Sequence, residues 1–119
     1  MLSKLKIGCA QMTATVDIQN NLHQAEKLIN EASNQGLEFI ALPEAFDFLS
    51  PDIASVHQYS STESEHLALQ QLSRLAKELS IWILAGSVSM RSSDNDPVNR
   101  SVLFDPTGNT AAWYDKVHL

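Results

Sequence analysis

The sequence holds a single cysteine, Cys9, in 119 residues. One cysteine excludes an internal disulfide and any cysteine-based zinc cluster, in keeping with a reducing compartment. Basic residues are also few: eight Lys and Arg face fourteen Asp and Glu, for a formal charge of -6. No basic run or stripe is present to counter a phosphate backbone, so nucleic acid is excluded as a partner. No apolar run approaches the length of a membrane span, and MLSKLKIGCAQM has no apolar stretch of about seven residues ending in a small-residue cleavage site. The expectation is a cytoplasmic chain with no membrane partner. The four glycines are isolated singles, which leaves no Gly-rich turn for a nucleotide phosphate and implies no cofactor. Asp94 and Asp96 lack the rest of a calcium ligand series, and His23, His57 and His66 have no metal-ligand spacing, so no metal is expected either.

What is present has the size and balance of one domain, 44% hydrophobic and 18% charged. LKIGCAQM (5 to 12) reads as a strand buried on at least one face through Leu5, Ile7 and Cys9. Leu22, Ala25, Leu28, Ile29 and Ala32 recur at helical spacing, and Gly36 supplies the left-handed residue a helix end commonly needs, predicting a helix over 19 to 35. LEFIAL (37 to 42), closed by Pro43, reads as a second, well-buried strand. Residues 43 to 62 carry Pro43, Pro51 and no sustained period, and read as a long loop, which in a compact domain is usually functional or mobile. Thr62 and Glu65 resemble a capping box ahead of a helix with its apolar stripe on Leu69, Leu72, Leu75, Ala76 and Leu79. Arg74, Lys77 and Glu78 lie off that stripe.

IWILAGSV (81 to 88) is a third strand, and SSDNDP (92 to 97) is turn chemistry. SVLFD and TAAWY flank Pro106-Thr107-Gly108-Asn109, so 101 to 115 reads as a β-hairpin. The fold class is therefore α/β, in the order strand, helix, strand, helix, strand, hairpin, with a parallel sheet core. Ligand chemistry in such sheets collects beyond the carboxyl ends of the strands. Glu44 follows the second strand there, and Lys116 follows the last. If the two ends open on one side, the pair meets in a cleft where an ammonium and desolvation act oppositely on a carboxylate suited to general-base work.

KIGCAQM, FIALPEAF, ILAGSV, NRSVLFDPTGN and WYDKVHL, in this order and at these separations, resemble the first half of a nitrilase-superfamily protein, a carbon–nitrogen hydrolase. The resemblance covers essentially the whole chain and implies the N-terminal half of an αββα sandwich. It leans towards the small-amidase branch of omega-amidases and deaminated-glutathione amidases. Many of those follow LPE with Asn, where this chain has Ala45, so an orienting polar contact is missing and the substrate is not identified.

The resemblance implies a Glu-Lys-Cys mechanism in which Glu44 is the general base, Lys116 binds the oxyanion, and a cysteine on a later strand attacks the carbon. Such chemistry needs a base beside a thiol and a positive charge where the oxyanion develops. No residue of the 119 matches the nucleophile. Cys9 lies inside the first strand, where a cysteine is ordinarily packing. His118 belongs to the family-like segment as a structural or supporting residue. Trp82 and Trp113 read as core, Asn99 and Arg100 as structural, and Phe46 and Phe48 as pocket wall or loop packing.

The chain 1–119 thus reads as a partial carbon–nitrogen hydrolase domain, inactive alone, that completes its sandwich by homo-oligomerising or by pairing with a C-terminal half. The alternative is a non-catalytic remnant or interaction subunit with the same half-fold. An isolated half would expose apolar sheet surface and an unpaired strand edge.

Overall fold

The computed structural model describes residues 4–117; His118 lies outside them. Its five strands are β1 (Ile7–Cys9), β2 (Phe39–Ala41), β3 (Trp82–Arg91), β4 (Pro97–Phe104) and β5 (Thr110–Asp115). The helices are α1 (Ile18–Asn34), α2 (Ile53–Tyr59) and α3 (Leu67–Leu79), with a 3-10 turn at Glu63–Glu65. The strands lie in one sheet in the order β1-β2-β3-β4-β5. β1, β2 and β3 run parallel, and β4 and β5 continue the sheet antiparallel. The α/β class expected from the sequence, a parallel core continued by an antiparallel hairpin, is the one observed.

α1 forms because its apolar residues return every three or four positions and Asp17 caps it, accepting from the Asn20 N–H at 3.1 Å. It ends at Gly36, whose φ of +79 a side chain would disfavour. α1 and α3 cover one face of the sheet. Ala25 and Ile29 of α1, Leu69 and Leu72 of α3, and the cross-strand row Ile40, Ile83 and Phe104 are all buried in one core.

Side chains alternate across a strand, so Ile7, Cys9, Phe39, Ala41 and Leu84 point to the opposite face, which no helix covers among the described residues. There Ile7 is 62% exposed, and Cys9 is exposed as well. The expectations of a half-buried first strand and a packed Cys9 are therefore corrected. β1 is a three-residue edge strand whose register with β2 puts only Gly8, against Leu37, on the covered side.

Three further expectations change. The stretch 43 to 62 is not all loop: α2 lies within it, capped by the Asp52 side chain, and seven residues are too few to show a period. Thr62 makes no side-chain cap, and α3 begins instead after His66, which is buried. Trp113 is not core but 57% exposed, because β5 is the other sheet edge, and its ring lies 4.0 Å beneath the Arg100 guanidinium.

Candidate functional site

Pro43 ends β2 by removing a ladder donor, yet contact with β3 goes on. Leu42 N–H donates to Leu84 O at 2.9 Å, Ala45 N–H donates to Ser87 O at 3.0 Å, and Glu44 forms a parallel bridge with Ser87. The approach is close enough that a Cβ on Gly86 would stand 2.6 Å from the Pro43 carbonyl carbon and also strike Leu42 O. Only glycine permits it. Ala45 completes the turn at φ 50, in the left-handed region.

On the far side of the sheet, Arg100 of β4 holds Asp115 of β5 in a two-pronged ion pair, with Nε and Nη2 at 2.6 and 2.9 Å from the carboxylate oxygens. The pairing continues one residue further through Lys116 N–H to Asn99 O. Lys116 Nζ then reaches Glu44 Oε1 at 2.6 Å. Residues 72 apart in sequence, one past the carboxyl end of β2 and the other past that of β5, are thereby joined. The two candidate residues do meet, but not in a cleft. The Lys116 side chain is 24% exposed and that of Glu44 75%, so the carboxylate stands open to solvent.

Behind Glu44 lies a polar cluster that the sequence reading missed. Asp47 is 1% exposed, and its Oδ2 accepts from the Tyr59 hydroxyl at 2.7 Å. His66, also 1% exposed, places Nε2 3.0 Å from Ser89 O and 3.6 Å from Asp47 Oδ2. A carbonyl can only accept, so Nε2 carries the proton; Nδ1 is buried without a partner among the described residues. Burial raises the Asp47 carboxyl above the usual carboxylate range, and burial lowers His66. The Tyr59 phenol is raised by burial and by the neighbouring Asp47 charge. Asn21 donates from Nδ2 to Asp47 O at 2.9 Å and to Thr15 O at 2.7 Å. The available signal was Asp47 itself, a lone carboxylate between Phe46 and Phe48. Phe46 is fully buried core rather than pocket wall, and Phe48 packs on Tyr59 with ring centres 4.9 Å apart.

Cys9 sits on the edge strand opposite Ala41, in the row that continues to Leu84 and lies three residues before Glu44 and Ser87 on their segments. Among the described residues, no group of three or more His, Cys, Asp or Glu is arranged to hold a metal ion. No helix there is long and apolar enough to cross a membrane.

Residues 6–119 match the sequence model of the family described as carbon-nitrogen hydrolase. Deaminated glutathione amidase of Bos taurus is 32% identical over 117 residues, which span 95% of this chain and 35% of the relative. The chain thus spans about a third of the length of the curated relatives it matches. Among solved structures, the NitFhit protein of Caenorhabditis elegans superposes with a TM-score of 0.84 at 27% identity, covering 95% of this chain and 28% of that one. A variant of the amidase from Nesterenkonia sp. AN1, with acrylamide added to its active site cysteine, gives 0.82 at 26% identity, covering 98% and 45%.

Proposed function

Because this chain belongs to the carbon–nitrogen hydrolase family, we propose that it supplies the base and the cation of a thiol-dependent amidase site, Glu44 as general base and Lys116 as oxyanion-stabilising charge. The observation that carries this reading is the 2.6 Å contact between Lys116 Nζ and Glu44 Oε1, just past the carboxyl ends of β2 and β5. A carboxylate is the group that can take a thiol proton, and an ammonium beside it can stabilise the oxyanion that develops on the attacked carbon. The attacking sulfur comes from outside these 119 residues; Cys9, on the edge strand β1, matches no nucleophile motif of the family. The substrate is a small amide, in line with the amidase relatives, and the 119 residues act as a partial hydrolase domain with no turnover of their own.

The competing reading is a half-fold that serves as an interaction subunit, favoured by the uncovered sheet face carrying Ile7 and Cys9. Ammonia release from a small ω-amide separates the two. The chain alone is expected to release none. A chimera that continues these residues with the cysteine-bearing remainder of an amidase relative is expected to be active and to lose activity on Glu44→Gln. Turnover by the chain alone, abolished by Glu44→Ala, would overturn the claim of inactivity. An active chimera indifferent to Glu44→Gln would overturn the base.

A further inference from the structure

Ala45 adopts a conformation that alanine disfavours, so the turn presenting Glu44 needs something to hold it. The contact with β3 is one restraint, through Ala45 N–H and Ser87 O. The other lies three residues past Glu44, where Asp47 enters the interior. Its carbonyl accepts from Asn21 of α1, its carboxylate accepts from Tyr59 at the end of α2, and it lies beside His66 at the start of α3. His66 in turn donates to Ser89 of β3, two residues beyond Ser87. The contacts close a ring from Glu44 to Ser87, along β3 to Ser89, and through His66 and Asp47 back to Glu44.

We infer that the buried Asp47–Tyr59–His66 cluster is a positioning device that locks the Glu44 turn against β3 and so keeps Glu44 within reach of Lys116. An apolar filling would serve packing alone at less desolvation cost. Directional bonds of 2.7 and 3.0 Å from two different helices instead fix where the turn lies. Phe48 and His66 flank the Tyr59 ring at 4.9 and 5.4 Å, so its hydroxyl has little freedom to leave Asp47. The inference rests on the amidase reading only in calling Glu44 a base. The positioning itself is read from the backbone and stands or falls separately.

Amide hydrogen exchange of the 119-residue chain, followed by NMR, tests it. The Ala45 amide reports the turn, and the Trp82 amide, bonded to Glu38 O at 2.9 Å, reports the β2–β3 pairing behind it. In Tyr59→Phe, which removes one hydroxyl and keeps the ring, Ala45 exchange is expected to rise roughly tenfold or more, with Trp82 within about threefold of the unchanged protein. Asp47→Ala should do the same. Asp47→Asn, which still offers Tyr59 an acceptor, should retain Ala45 protection. Equal acceleration of Ala45 and Trp82 would mark general destabilisation and overturn the inference, as would unaltered Ala45 exchange. Should Tyr59→Phe not fold, the contrast between Asp47→Asn and Asp47→Ala decides by the same comparison.

Discussion

The backbone N–H of Lys116 donates to the carbonyl of Asn99 at 2.9 Å, so the lysine leaves the sheet as part of the β4–β5 ladder rather than as a free tail. Its ammonium is aimed by two strands before it meets Glu44. The position of the Lys116 charge is set by strand register.

The Glu44–Lys116 pair should matter for chemistry and little for stability. With one partner 75% exposed, water screens it, and Glu44→Gln is expected to change unfolding free energy by less than about 1 kcal/mol. In an active chimera the same change should lower kcat by roughly 10²- to 10⁴-fold, the usual contribution of a positioned base. Denaturant titration and steady-state kinetics on one preparation check both. A large stability loss would mean that the pair is structural.

Ala45 should be a stabilisable position. Its φ of 50 is unfavourable for alanine but open to glycine and tolerated by asparagine. Ala45→Gly is expected to raise stability by about 0.5–1 kcal/mol and Ala45→Asn by less. A lower denaturation midpoint for both variants would show that the turn is unstrained.

Gly86→Ala should be severe. The added carbon would meet Leu42 O and stand 2.6 and 2.8 Å from the Pro43 carbonyl carbon and oxygen, all of them backbone atoms that cannot rotate away. A loss of roughly 1–3 kcal/mol or more is expected, together with altered amide shifts at Glu44 and Ala45. Wild-type stability would show that β2 and β3 separate there at no cost.

Stability should depend on pH through His66. Its folded pKa is lowered from 6.5 by burial, so the unfolded chain binds the proton more readily, and the contribution present above about pH 6.5 is lost as pH falls. Asp47 acts oppositely. Its pKa is raised from 3.8, so its burial costs most at higher pH and stability is regained as the carboxyl protonates. His66→Gln is expected to flatten the pH profile between 5 and 7, measured by denaturant midpoints. An unchanged slope would mean that His66 does not carry it.

Much of the fold was legible in the sequence wherever periodicity and punctuation agreed. Pro43, Gly36 and the Pro106-Thr107-Gly108-Asn109 turn marked boundaries that the structure keeps. α2 was not legible, because a seven-residue helix capped by Asp52 shows no apolar period and presents no buried residue. Trp113 misled for a different reason: hydrophobicity says that a side chain is suited to burial, while only strand order says whether anything lies over it. At the site, the motif order pointed to Glu44 and Lys116. Asp47, Tyr59 and His66 come from three separate segments, and their proximity exists only after folding.

β3 carries an extra residue between Ala85 and Val88, where three steps on β3 match two on β4. Buried positions are accordingly odd-numbered from Ile81 to Ser87 and even-numbered from Val88 to Met90. The strand changes phase at the residue that bridges Glu44. Deleting one residue there would restore a single alternation that keeps Ala85, Val88 and Met90 on the core face, and by doing so would remove the extra step in which Ser87 meets Glu44. The irregularity lets one strand close the helix-covered core and, at its midpoint, turn a backbone carbonyl to receive Ala45.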